Sequence, residues 1–232
     1  MKKYFRFGFA ALALMLVFNA FAATEAKAQG ALNEILKRMD AHYKTLVSLK
    51  ADITREKRNA QLDETDRQQG TIVLLPGKGT RFSVRLDWKK PKEEILSVVN
   101  GQYVAFIPVQ KRAYTGSSSS KTAGDKGGNI LRVMSMSKEE LKANYNVVYL
   151  GQENVGGNIP TWRLKLTPKK AANFKFAELW VDGNGMPVQG KVTALANDDT
   201  DTILLQNLIK NDTINGSIFK VNLPKGTDVI KG

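Results

Sequence analysis

Residues Gly70–Tyr114 read GTIVLLPGKGTRFSVRLDWKKPKEEILSVVNGQYVAFIPVQKRAY. Apolar runs of strand length alternate with the turn signals Pro76-Gly77, Lys90-Pro91 and Asn100-Gly101. Within Arg81–Trp88, Phe82, Val84, Leu86 and Trp88 share one face, and Arg81, Ser83, Arg85 and Asp87 take the other. A period of two is the strand signature, because successive side chains point to opposite sides of a sheet. The stretch predicts an antiparallel meander with one oily and one wet face. What covers the oily face decides what the protein can do.

Upstream, Leu32, Ile35, Leu36, Met39, Tyr43, Leu46 and Val47 form one stripe at helical spacing, predicting a helix over Ala31–Val47. A one-sided helix has to lie on something apolar, and the oily sheet face is its natural partner. The period then changes: Leu49, Ala51 and Ile53 begin a first strand that runs to about Lys57. Asn59–Gln69 is a hairpin connection or two strand ends. Strands are predicted at Thr71–Leu75, Thr80–Trp88, Glu94–Val99, Gln102–Ile107 and Arg112–Thr115. Asn-Gly between two such runs is a strong hairpin signal.

Gly116–Gly128, with four consecutive serines and almost no apolar residue, reads as a flexible loop. Asn129–Met136 follows as a short apolar helical piece. Ser137 with Glu140 three residues on is a capping box that opens another over Lys138–Ala143. A loop followed by short apolar helices between strands reads as a lid, and Leu131 and Met134 are expected on it. Six further strands are predicted at Asn146–Gln152, Thr161–Leu166, Phe174–Val181, Val188–Leu195, Thr202–Ile209 and Ser217–Val221.

The fold class is therefore mainly β with some α. About a dozen antiparallel strands are too many for a flat open sheet. They suggest an unclosed barrel, with the N-terminal helix and the lid helices over its concave face. Such barrels can hold one ligand.

The N-terminus is expected to stand apart. Lys2, Lys3 and Arg6 precede an apolar run over Gly8–Phe21 and two small-x-small signals, Ala20-Phe21-Ala22 and Ala26-Lys27-Ala28. That is the layout of a cleaved signal peptide over 1–28. The run is short for a bilayer span, which needs about 20 apolar residues. Residues 29–232 are then expected to form a single domain in the periplasm. The chain has no cysteine, so no disulfides and no lipidation of its own are expected. The net charge of +13 would suggest nucleic acid in a cytosolic protein. In an exported one it fits anionic lipids, acidic partners or plain solubility, and no nucleic-acid partner is expected.

Chemistry is sparse. The single histidine, His42, sits beside the apolar stripe and reads as structural. Without cysteine the usual zinc sites are absent. Asp182-Gly183-Asn184-Gly185 opens like a calcium loop, but its twelfth position is Thr193 rather than the glutamate required, so it reads as a hairpin turn. Asp198, Asp199 and Asp201 read as a solvated loop tip. Glu93 and Glu94, adjacent on a strand, point apart and cannot form one acid–base pair. No catalytic site, metal or cofactor is expected.

An ordered set of strand and turn features is more specific than any one of them. The helix and first strand are followed by a Phe–Trp strand ending at Lys90-Pro91, then Val98-Val99-Asn100-Gly101-Gln102-Tyr103, Phe106-Ile107-Pro108 and Gln110. The close is Val221-Asn222-Leu223-Pro224-Lys225-Gly226-Thr227-Asp228-Val229-Ile230. The chain resembles the periplasmic outer-membrane lipoprotein carrier (LolA) family along nearly its whole length. The resemblance implies an unclosed barrel under a helical lid. It also implies a carrier, not an enzyme, that shuttles acylated lipoproteins from an inner-membrane ABC transporter to an outer-membrane acceptor. A monomer is expected. Phe82, Val84, Leu86, Trp88, Trp162, Leu164 and Leu166 are expected to line the lipid cavity. The family ties its lid with an arginine before a proline. Here the region reads Leu75-Pro76-Gly77-Lys78-Gly79-Thr80-Arg81, which departs from that pattern; Arg81 or Lys78 is the expected substitute, neither matching residue for residue. The rival reading is a lipid- or lipoprotein-sensing regulatory module of the envelope.

Overall fold

The computed structural model describes residues 28–77, 82–118 and 128–231. The expected signal peptide, Lys78, Arg81 and most of the serine–glycine stretch lie outside them.

Helix α1 (residues 28–45) buries Leu32, Ile35, Leu36 and Met39. Its opposite side carries the i,i+4 ion pairs Arg38–Glu34 (2.9 Å) and Lys44–Asp40 (2.8 Å). The helix stops two residues short of the predicted end. Asn211 explains why: its Nδ2 donates to the Thr45 carbonyl (3.1 Å), and its Oδ1 accepts from the Val47 N–H (2.8 Å). These bonds satisfy terminal backbone groups and turn the chain into the sheet. Val47, expected in the stripe, is therefore 69% exposed.

The first six strands are β1 (Leu49–Asn59), β2 (Glu64–Leu75), β3 (Ser83–Lys90), β4 (Glu94–Val99), β5 (Gln102–Ile107) and β6 (Arg112–Ser117). The helices α2 (Asn129–Met134) and α3 (Lys138–Asn144) follow. Then come β7 (Tyr145–Val155), β8 (Ile159–Pro168), β9 (Phe174–Asp182), β10 (Pro187–Ala194), β11 (Thr200–Lys210) and β12 (Asp228–Lys231). The Asn59–Gln69 stretch is two strand ends, with β1 and β2 paired as far as Asn59 and Glu64. The α3 capping box forms as expected: Glu140 N–H donates to Ser137 Oγ (3.2 Å), and Ser137 N–H donates to Glu140 Oε2 (2.8 Å).

All twelve strands lie in one sheet, ordered β12-β6-β5-β4-β3-β2-β1-β11-β10-β9-β8-β7. The end strands β12 and β7 do not pair, so the barrel is not closed. Register builds its inner face residue by residue. Leu49, Leu74, Val84, Val98 and Tyr103 are successive cross-strand partners. So are Ala51, Ile72, Leu86, Leu96 and Ala105. On the other half the row runs Ile203, Gly190, Leu179, Leu164, Tyr149. Direct partners share a face, so the alternation in each strand becomes one continuous apolar surface.

Two expectations fail at the C-terminus. Ser217–Val221 is not a strand: Gly216–Phe219 is a 3-10 turn, capped by Asn215 Oδ1, which accepts from the Ser217 N–H (2.9 Å). Phe219 is buried on the outer face, where Ser97 Oγ donates to its carbonyl (2.6 Å) and Arg85 Nη1 to that of Ile218 (2.8 Å). The last strand is β12, and it pairs parallel with β6, so the sheet is not wholly antiparallel.

The outer face of β8–β10 is polar but tightly joined. Arg163 donates to Glu178 Oε1 through Nη2 (2.6 Å) and Nε (2.9 Å), and Lys191 lies 3.4 Å from Glu178 Oε2. Glu153 Oε2 accepts from Arg163 Nη1 (3.2 Å) and Trp180 Nε1 (2.9 Å). The Arg163 guanidinium stands 5.0 Å over the Trp180 ring.

Candidate functional site

Both α1 and α2 sit on glycines, α1 on one in the β9–β10 turn and α2 on one in strand β10. Asp182–Gly185 is the expected hairpin turn, with Asp182 Oδ1 accepting from the N–H groups of Asn184 (2.9 Å) and Met186 (2.8 Å). Gly185 has φ +84, and a Cβ there would run into the α1 backbone at Arg38. Arg38 Nη1 donates to the Gly183 carbonyl (2.9 Å). At Gly190, a Cβ would lie 2.7 Å from Ile130 Cγ2 and 2.9 Å from Met134 Cγ. The lid helix α2 therefore rests directly on the β10 backbone.

Between the two helices a cavity of about 80 Å³ remains. Met39, His42 and Tyr43 of α1, with Leu46 just after it, form one wall. Leu49, Ile72, Leu74, Val84 and Leu205 of the sheet form the floor. Leu131 and Met134 of α2, with Ser135 and Met136 beyond it, face them, and Pro76, Phe82 and Met186 close the sides. The lining is almost wholly apolar, and its four methionines are the side chains best able to repack around different shapes.

Of the expected lining residues, Phe82 and Val84 stand on this wall, and so do the expected lid residues Leu131 and Met134. Leu86, Trp88, Leu164 and Leu166 do not. They share the inner face but are 0–3% exposed and belong to the packed core. The reason is distance along the strand. Each pair of residues advances roughly 6.6 Å, so Leu86 and Trp88 lie beyond the cavity that Phe82 and Val84 border. Leu164 pairs with Leu179, which pairs with Gly190, the seat of α2. Trp162 is half-buried, with the Arg38 guanidinium 5.2 Å from its ring centre, and is covered by α1 instead of facing the cavity. Arg81 lies outside the described residues.

The α1 side of the wall has no counterpart among the expected lining residues. His42 lies one position off the helical stripe, yet its side chain lines the cavity and its Nε2 is sealed from solvent. Burial, helped by the positive charge of Lys210 and opposed by Asp182, lowers its pKa from 6.5. The unfolded chain thus binds more protons than the folded one between the lowered value and 6.5. Stability should fall as pH drops through that window and be unaffected by His42 above it. The difference in thermal midpoint between wild type and His42→Leu is expected to shift in the variant's favour on going from pH 7.5 to pH 5. A constant difference would show that His42 is freely hydrated.

The inner face is charged at its other end. Arg55, 3% exposed, bonds Asp201 through Nη2 (2.5 Å) and Nε (2.8 Å). A larger recess of about 450 Å³ opens there among Lys57, Arg58, Glu64, Asp66 and Asp199. Its mixed charges suit water and ions better than hydrocarbon. Among the described residues no cluster of histidine or carboxylate side chains is arranged to hold a metal ion. No described helix is long and apolar enough to cross a membrane.

The family model for the outer membrane lipoprotein carrier protein LolA matches residues 44–222. The chain belongs to the LolA family. The matched span takes in the end of α1, eleven of the twelve strands and the lid, so it includes the floor and the lid side of the cavity, while Met39, His42 and Tyr43 of the α1 wall precede it. No curated protein sequence matches the chain. Among solved structures it is similar to an uncharacterised conserved protein from Thermus thermophilus, at 12% identity and TM-score 0.55, covering 87% of this chain and 99% of that one. It is similar to MucB at 15% identity and TM-score 0.52, covering 88% and 66%. A lipoprotein-sorting protein domain described as putative, from Vibrio parahaemolyticus, matches at 14% identity and TM-score 0.45, covering 80% and 94%. At these identities the likeness to the first two is one of fold.

Proposed function

We propose that this chain is a periplasmic carrier that takes the acyl chains of lipoproteins under its lid. It would move them from an inner-membrane ABC transporter to an acceptor at the outer membrane. The observation that carries this reading is the methionine-rich apolar cavity between α1, α2 and the sheet, set in a LolA-family fold. Each CH₂ transferred from water into such a site gains about 0.8 kcal/mol, so an acyl chain needs no catalytic group to be held. The cavity of about 80 Å³ is roughly half of the ~150 Å³ that accepts a benzene ring. It therefore represents the closed form, and the lid must leave the sheet before a long chain enters. The closed lid competes with the ligand for the same apolar surface. That competition keeps affinity modest and makes release feasible.

The test is mass spectrometry of the protein purified from the periplasm, with titration of a fluorescent fatty acyl probe. Bound acylated species and saturable uptake are expected. A protein with neither is not a carrier of this kind. Co-purification of a membrane-anchored regulator in place of lipoprotein and transporter would favour the sensing module.

A further inference from the structure

We infer that His42 is the polar anchor of the cavity, donating a hydrogen bond from Nε2 to the carbonyl oxygen that joins an acyl chain to the rest of its carrier molecule. The inference rests on the acyl-carrier reading and adds a specificity element to it.

Three side chains with polar atoms line the cavity: His42, Tyr43 and Ser135. Ser135 Oγ is spent on the Arg132 carbonyl (3.1 Å). Tyr43 is half-buried like His42, but its hydroxyl is not among the sealed, unpaired atoms of the described residues. His42 Nε2 is buried and finds no hydrogen-bond partner among the described residues. A sealed polar nitrogen without a partner forfeits its hydration, and buried polar groups are nearly always satisfied. The other such atom, the Tyr103 hydroxyl, belongs to a residue of the packed core that is not part of the cavity wall. His42 is thus the cavity-wall residue with a sealed, unsatisfied polar atom, one that an occupant would meet only in the open form, once the wall has parted.

The chemistry of the occupant follows. Burial keeps the imidazole neutral, so it carries one N–H and one lone pair. With the proton on Nε2 it matches a carbonyl oxygen, the one strong acceptor that an ester-linked or amide-linked acyl chain brings with it. An alkane satisfies the walls and leaves Nε2 unpaired. A carboxylate adds a charge that an almost wholly apolar lining cannot compensate. The cavity therefore selects the linked acyl group over bare hydrocarbon.

The test compares methyl palmitate, N-methylpalmitamide and hexadecane, each delivered from cyclodextrin, on wild type and His42→Leu. Wild type should bind the ester or the amide about tenfold more tightly than hexadecane, the order of one net hydrogen bond. His42→Leu should bind all three alike. The better of ester and amide identifies the linkage preferred. His42 is the only histidine, so its imidazole nitrogen resonances are unambiguous in the full chain. The Nε2 resonance should shift with methyl palmitate and stay in place with hexadecane, a readout that does not depend on the variant folding. Equal binding of the three by wild type, a preference kept in His42→Leu, or an unmoved Nε2 resonance with methyl palmitate bound would each overturn the anchor and leave the carrier standing. Failure of every probe to bind overturns both.

Discussion

Replacing Gly190 with valine is expected to raise the apparent affinity for an acyl probe about thirtyfold while lowering overall stability by about 2 kcal/mol. Gly190 lies on the inner face of β10, between Leu179 and Ile203 in the register. Even a single Cβ there would stand 2.7 Å from Ile130 and 2.9 Å from Met134, closer than carbon atoms tolerate. Leu179 is wholly buried beneath and the strand is held on both sides, so the sheet cannot retreat and the lid must. Overpacking of this kind costs about 1–3 kcal/mol, and the cost falls on the closed form alone. Each 1.4 kcal/mol moves the closed-to-open ratio about tenfold, so a penalty of about 2 kcal/mol multiplies the open fraction by about thirty. Apparent affinity follows that fraction until the open form dominates. Gly190→Ala should give a smaller step in the same direction. Titration of the fluorescent acyl probe measures both. Affinity unchanged in a folded Gly190→Val variant would mean that the lid is not what restricts entry.

Some of this arrangement was legible in the sequence because it follows from periodicity. The alternation around Phe82–Trp88 marks one face of a strand, and register across the sheet carries it into a continuous surface. Asn100-Gly101 turns as expected, with both residues at positive φ (50 and +77), as a tight hairpin requires. The α1 stripe identifies a covered helix face. Periodicity does not report depth along a strand, however. Val84 and Leu86 have the same signature, and only the footprint of the lid separates cavity wall from packed core. That footprint is set by Gly190, whose lack of a side chain leaves no pattern to read. His42 escapes a reading by periodicity for a related reason. The cavity lies between α1, α2 and the sheet, so a residue just off the stripe, on the flank toward α2, lines it. Ser217–Val221 holds the apolar residues of a short strand, but the Asn215 side chain captures the local backbone and makes a turn instead. Arg81, expected to tie the lid, lies outside the described residues, and the seat at Gly190 is where the lid and sheet are seen to meet.

A movable lid exposes a binding surface only if the wall beneath it holds its shape, and the outer-face ion cluster is placed to provide that. Arg163→Met is expected to destabilise the protein by about 3 kcal/mol in urea unfolding, a larger effect than an exposed ion pair would give. The Glu178 side chain is 5% exposed, and its carboxylate takes two hydrogen bonds from Arg163. Without them its remaining cation is Lys191 at 3.4 Å, and the buried charge is poorly compensated. Methionine keeps the packing of the stem over Trp180, so the loss reports the charge and its hydrogen bonds and not a cavity. Adding Glu178→Leu to Arg163→Met should recover most of the stability, because a buried pair replaced by apolar groups of similar size costs little. Binding of the acyl probe per folded molecule should be the same in wild type and in the double variant, since β8 and β9 would again hold Leu164 and Leu179 beneath the lid. A loss below about 1 kcal/mol in the single variant would place the pair among ordinary surface contacts. Weaker acyl binding by a fully folded double variant would mean that the outer face shapes the cavity as well as bracing it.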